Sequence, residues 1–300
     1  MKRFLAHETM ILVPLLALGL GACGSQSTPA PGGEGEGEGE GEGEPAVPPD
    51  ATQFVVSQLE ILGEGEGMDL DGDGSVDNSF ASIAPFANGE LSGAMADGTL
   101  LVLIDLEGVD SALDDPDMQV GFLAGLDTDG DASNNFLPGA ELGVDPASVD
   151  ADGQPLASGS GTIQAGVVDA TVPALELLGM VQLQDIRFRA DGQGTLGSLS
   201  SGMIAGALPA AVLAAQPGMR GTALDLVTSM GVQPDIDVDG DGLETFEDTG
   251  RDGQVDRCTD GDGTVVDGAD CVTDPRFPDA FSMALGLEAV PCEIVGGAGA

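Results

Sequence analysis

Across 300 residues the chain carries 52 acidic side chains against 8 basic ones, a formal charge of −44, with no tryptophan and no tyrosine. Nucleic-acid binding rests on cations that neutralise phosphates, so this balance excludes nucleic acid as a partner and points to divalent cations instead. The sole histidine is His7 and the sole lysine is Lys2, so the body of the chain has no Ser-His-Asp, Cys-His or Ser-Lys machinery, no Schiff-base lysine and no histidine-ligated zinc.

What remains for catalysis is a carboxylate pair, as in glycoside hydrolysis, or a metal-activated water. Among so many acids, pairs arise by chance and carry almost no information. The expectation is therefore a protein that is not an enzyme.

Met1-Lys2-Arg3 is a short positive region, and Met10–Leu20 is an apolar run too short to span a membrane. Together they read as a signal peptide over residues 1–22. Leu20-Gly21-Ala22-Cys23 resembles the lipobox of bacterial lipoproteins. That resemblance implies cleavage before Cys23, a diacylglycerol on its sulfur and an acylated new N-terminus. Gly24 in place of Asp implies transit to the outer membrane, where two or more acyl chains give stable anchoring. The partner so implied is a membrane, reached through the lipid on Cys23.

Residues 23–50 follow as a tether. Gly33–Glu44 is an unbroken Gly-Glu alternation between prolines 29, 31, 45, 48 and 49. It has no apolar periodicity from which to build a core, and like charges extend it. Ser25–Asp50 reaches at most about 90 Å.

Residues 51–234 have lower charge density and enough apolar runs for one core. Gln53–Leu62 reads as a strand with Val55, Leu59 and Ile61 on one face. Thr99–Glu107 (TLLVLIDLE) is continuously apolar between Gly98 and Gly108, which fits a strand buried on both faces. In Met118–Leu126 the residues Met118, Val120, Phe122, Ala124 and Leu126 share a side. Thr162–Ala170 is a further strand. Val181–Arg189 alternates but changes phase: Val181 and Leu183 have one parity, Ile186 and Phe188 the other. A β-bulge near Asp185 repairs this. Arg187 and Arg189 then face away from Phe188, toward acidic loops.

Helices are expected at Ser79–Ala96, interrupted at Pro85 and Gly89, at Gly202–Gln216 around Pro209, and at Thr222–Met230 capped by Thr222. Phe281, Met283, Leu285 and Leu287 alternate with smaller or polar residues, a strand signal in residues 276–300. The chain is expected to leave the sheet at Pro234, pass through residues 235–275 and return to pair. The fold class is mainly β, one β-sandwich-like domain with accessory helices and irregular Asp-rich loops.

Those loops carry the candidate site residues. Asp237-x-Asp239-x-Asp241-Gly242 places oxygens at alternate positions, where they can converge on one ion, and Gly allows the sharp turn. Leu243 supplies a carbonyl, and Asp248 falls at the twelfth place. Asp252, Asp256, Asp260, Asp262 and Asp267 continue the series. An earlier loop has Asp69, Asp71, Asp73, Gly74, Ser75 and Asp77, but Phe80 stands where a closing acid belongs. Another has Asp127, Asp129 and Asp131, with Ala132 where Gly is expected. These stretches resemble the EF-hand-like loops of dockerins and thrombospondin type 3 repeats. The resemblance implies bound Ca2+, with ions shared along a segment of little secondary structure. Asp-Gly turns between strands are the plain alternative.

Cys258, Cys271 and Cys292 admit three pairings. Cys258–Cys271 closes about 14 residues around Asp260 and Asp262, worth very roughly 3 kcal/mol in an oxidising compartment. Three-thiolate zinc is the alternative.

The reading that follows is a lipid-anchored, calcium-stabilised surface protein for display, adhesion or envelope organisation, contacting an extracellular protein or glycan. Two others are carried beside it: a calcium- or carboxylate-dependent hydrolase of extracellular polysaccharide, and a calcium-dependent glycan-binding module with Phe136 as one contact.

Overall fold

The computed structural model describes residues 49–177, 181–218 and 221–295. The signal segment, Cys23 and the Gly-Glu tether lie outside the described residues.

The chain runs through β1 (Gln53–Ile61), helix α1 (Ala84–Ala96), then β2 (Val102–Glu107), β3 (Asp115–Asp127) and β4 (Ala140–Val144). Next come β5 (Ala157–Gln164), β6 (Val167–Leu177), β7 (Val181–Asp191), β8 (Leu199–Pro209) and helix α2 (Ala210–Ala215). The two-residue pair β9 (Pro217–Gly218) and β10 (Gly221–Thr222) precedes helix α3 (Ala223–Ser229). Three short strands, β11 (Thr245–Glu247), β12 (Arg257–Thr259) and β13 (Val265–Asp267), make a sheet inside the acidic segment, and β14 (Ala280–Val295) ends the series.

The mainly β, single-domain expectation holds, and the pairing gives it a definite form. Nine strands form one sheet, and all except β4 close as a ring: β1-β2-β3-β5-β6-β7-β8-β14 and back to β1. Every neighbour in the ring is antiparallel. This is an up-and-down barrel whose last strand seals the seam between β1 and β8. Eight strands leave an interior just wide enough to be filled by side chains. Phe54, Ile104, Val120, Phe122, Ile163, Leu183, Ile186, Phe188 and Ile204 fill it. Phe122 and Phe188 meet edge to face at 5.4 Å from strands that do not pair.

Outward positions on β5 to β7 are Ser158, Ser160, Asp169, Thr171, Gln182, Arg187 and Arg189, all exposed. A membrane-spanning barrel turns an apolar band outward; this barrel does the reverse. One outer patch is apolar because it is covered. Val55, Leu101, Leu103 and Leu123 pack under Leu142 of β4, which runs parallel to the end of β14 and antiparallel to β3. That explains the continuous apolar run of β2: Ile104 faces the interior and Leu103 the covered patch.

The phase change in β7 is a bulge at Asp185, whose φ is +50°. The β7–β8 register slips between Gln184 and Arg187. Leu183, Ile186, Phe188 and Ala190 consequently all point inward. Thr222 caps α3 as expected, and Asp225 completes a capping box.

Other expectations are corrected. Gly202–Pro209 belongs to strand β8 and only the next six residues to α2; small side chains suit a strand pressed between β7 and β14, so tertiary packing overrides the helix propensity of alanine. Thr162–Ala170 straddles a hairpin, whose two-residue turn is Ala165 (φ 51°) and Gly166 (φ 78°), the backbone twist that tight hairpins favour. Ala124 and Leu126 are exposed: β3 stops pairing with β5 at Phe122, Ala124 is its last partner on β2, and from Gly125 it pairs with β4. Pro85 starts α1 instead of breaking it, since the first turn needs no amide donor, and Gly89 sits inside the helix. α1 is tied to the barrel by Asn88, which accepts from Ile61 N at 2.7 Å and donates to Ile61 O at 2.9 Å.

The candidate cation loops at the barrel seam

The early part of β14 is buried on both faces. Phe281, Met283, Leu285 and Leu287 face the interior, and acidic loops lie over the other side. Asn78 accepts from Ala284 N, and Ser79 N–H donates to Ser282 Oγ at 2.8 Å. Asp235 accepts from Ser282 N and from the Ser282 hydroxyl. Ile236 bridges Ala280, and Phe246 stacks on Phe281 at 6.2 Å. The acidic segment cannot build a core alone; Phe246, Val255, Cys258 and Cys271 join the barrel's core instead. Cys258 and Cys271 are disulfide-bonded, Cα to Cα 5.8 Å, and Cys292 is free. Of the three open pairings, this is the one the structure contains.

Two of the loops bring carboxylates together. Oxygens of Asp69, Asp71 and Asp77 lie within 4.8 Å of one another, as do those of Asp237, Asp239 and Asp279. Both first aspartates fold their loops identically. Asp69 accepts from Gly72 N and Gly74 N at 2.6 and 3.0 Å; Asp237 accepts from Gly240 N and Gly242 N at 2.6 and 3.0 Å. Asp77 is buried and accepts from Leu70 N, and Arg187 reaches across to donate to Asp69 O at 2.9 Å. The acidic-loop contact expected of Arg187 is thus to a backbone carbonyl. Asp73 and Ser75 stay exposed, with the Asp73 carboxylate accepting from Ser75 N.

The remaining expected ligands are placed differently. Asp127, Asp129 and Asp131 accept from backbone donors of their own loop and do not join a convergent group among the described residues. Phe136 beside them is half-buried and packs on the core. Asp248 opens a turn of its own, accepting from Asp252 N and Gly253 N, while Asp256 accepts from Thr249 and Gly250. Asp252 is exposed and accepts from Gln254 N. Asp260 accepts from Thr264 N at 2.6 Å in the β12–β13 turn, and Asp267 pairs with Arg257 at 2.8 Å. Asp241 and exposed Asp262 come from two turns in backbone contact: a Cβ on Gly261 would lie 2.3 Å from Gly242 O. Burial, then Asp239, Asp262 and Asp260, raises the Asp241 pKa. The side chain of Leu243 is exposed.

Sequence reasoning missed Asp279 and Glu244, both almost wholly buried. Asp279 accepts from Val238 N at 2.8 Å and Glu244 N at 2.9 Å, while Glu244 Oε2 accepts from Asp279 N at 2.9 Å. Glu244 Oε1 is buried and has no partner. Burial pushes the Glu244 pKa up to about 8; Asp279, Asp239 and Asp241 add to this, against the bond from Asp279 N. Asp279 is raised too, by burial first and then by Asp237 and Asp239, despite its two backbone donors. The available signal was a lone acid directly ahead of an apolar strand, in Phe277-Pro278-Asp279-Ala280.

The donor set is hard oxygen throughout, which suits calcium or magnesium and not zinc. A shallow hollow elsewhere is lined by Asp114, Asp115, Pro116, Ile163, Gln164 and Ala165. Burial opposes ionisation of Asp115, yet the N–H groups of Asp110, Asp117 and Ser111 together hold its pKa low. It is an anchor for a turn.

The fold and site together define an inside-apolar, eight-stranded antiparallel barrel carrying two convergent carboxylate loops, one of them completed by Asp279 at the head of the closing strand. Compared with known proteins, the chain matches no family model, no curated protein by sequence and no solved structure by fold.

Proposed function

We propose that the protein is a lipid-anchored, calcium-stabilised surface barrel, without catalytic activity, that serves display, adhesion or envelope organisation. The observation carrying this reading is that the convergent group of Asp237, Asp239 and Asp279 is built onto the head of the strand that closes the ring, while that of Asp69, Asp71 and Asp77 sits in the loop between β1 and α1. Without a cation the acids of the first group repel one another at the seam; with one they hold it shut. The Leu20–Cys23 lipobox and the charged tether supply the anchoring half of the proposal. The exposed barrel exterior is then the surface offered to an extracellular protein or glycan.

Thermal melts of the detergent-purified chain in calcium, magnesium and chelator test the first half. The expected result is a calcium-specific rise in melting temperature; no change would sink it. Labelled palmitate tests the second half, with incorporation expected in the native chain and lost in Cys23→Ala.

A further inference from the structure

Four observations bear on the Asp237 loop. Its convergent group takes its third carboxylate from Asp279, at the head of β14, and not from its own twelfth position. Each Asp279 oxygen receives one backbone N–H, which leaves a lone pair on each for a further partner. Glu244, 1% exposed, lies beside Asp279, Asp239 and Asp241. Its Oε1 is enclosed with no donor in reach. Native proteins seldom leave a buried carboxylate oxygen unsatisfied, and where the neighbouring charges are the carboxylates of Asp279, Asp239 and Asp241 the missing partner is a cation, not a hydrogen-bond donor. The Asp69 loop has no such orphan, since its buried Asp77 already accepts from Leu70 N.

We infer that Asp237, Asp239, Asp279 and Glu244 form one divalent-cation site, distinct in kind from a self-contained loop site, in which the ion joins the acidic segment to the barrel's closing strand. This deepens the calcium reading above and rests on it. Four protein carboxylates leave little room for the several waters that magnesium retains, so calcium, with its larger and more adaptable oxygen shell, fits better. The consequence is directional: occupancy of this site orders β14 and the seam, whereas occupancy of the Asp69 loop orders the approach to α1.

The test is calorimetric titration of calcium into the detergent-purified full chain and into Glu244→Gln, Asp239→Asn and Asp69→Asn variants. Asp239 is exposed, so its substitution leaves folding intact if Glu244→Gln does not. Hydrogen exchange of Phe281–Leu287 is read alongside. Glu244→Gln and Asp239→Asn are each expected to weaken one calcium site at least tenfold and to abolish the calcium-dependent protection of Phe281–Leu287. Asp69→Asn is expected to spare both. If Glu244→Gln and Asp239→Asn titrate and protect as the native chain does while Asp69→Asn loses its calcium, the inference falls and the calcium reading stands. If the native chain takes up no calcium, both fall.

Discussion

Asp279 and Glu244 hold each other reciprocally: the backbone N–H of each donates to the other's carboxylate, both at 2.9 Å, across 35 residues of acidic chain. Truncating Asp279→Ala removes the acceptor for Val238 N and Glu244 N together. Buried donors left unpaired cost about 1–3 kcal/mol each. The expected loss in chemical denaturation is about 3 kcal/mol even in chelator. A loss under 0.5 kcal/mol would mean that the clasp carries no load.

The Asp185 bulge makes a second prediction. A non-glycine residue at φ +50° is held in the left-handed region at a cost of roughly 1 kcal/mol. Asp185→Gly should stabilise the barrel by about that much, and Asp185→Val should destabilise it. The denaturation midpoints of the two variants would diverge in opposite directions from the native value.

Buried carboxyls give the metal-free protein an inverted pH dependence. Glu244, pushed up to about 8, and Asp105, raised by burial and then by Glu107 against a bond from Gln53, both favour the protonated fold. Their stabilising protons are fully in place below the unfolded carboxylate pKa and are lost as pH rises through the folded values. In chelator the melting temperature should fall between pH 5 and pH 8.5, by on the order of 5–10 °C for a chain of this size. With calcium the fall should flatten, because the ion holds the carboxylates ionised. A melting temperature that climbs with pH in chelator would contradict the burial of Glu244.

The thiols divide cleanly. Reducing Cys258–Cys271 is expected to cost about 3 kcal/mol. Burial, with Asp105 nearby, pushes the Cys292 thiol up to about 12, so at pH 8 its alkylation should run on the order of 1000-fold slower than that of a free thiol. Mass spectrometry after timed iodoacetamide labelling reads this directly; rapid native labelling of Cys292 would refute it.

Much of the strand pattern was legible because its signals are local, whereas the closing of the strands into a ring was not. The alternation of Phe281, Met283, Leu285 and Leu287, and the parity change across Asp185, are written in adjacent residues and survive in the fold. The Thr222 cap is equally local. What misled were segments whose neighbours decide their state. Gly202–Pro209 is a strand only because β7 and β14 flank it. The loops were legible as turns, since Asp69 and Asp237 fold theirs by bonds to glycines three and five residues on. The residue that completes the second group was not. Asp279 lies 41 residues from the Val238 amide it accepts from, and no spacing rule spans a distance set by the tertiary fold.

The closing strand also sets the order in which the molecule can be made. Ser57 of β1 bonds Glu288 of β14 across 231 residues, so the ring cannot shut until nearly all of the described chain has emerged. Until then β1 and β8 each present an unpaired edge, the kind of surface on which strands of other chains add. Long-range closure of this kind is slow. A chain interrupted before Ala280 would be an open, adhesive sheet and not a smaller barrel, so loss of the closing strand should show itself as aggregation before it shows itself as reduced stability.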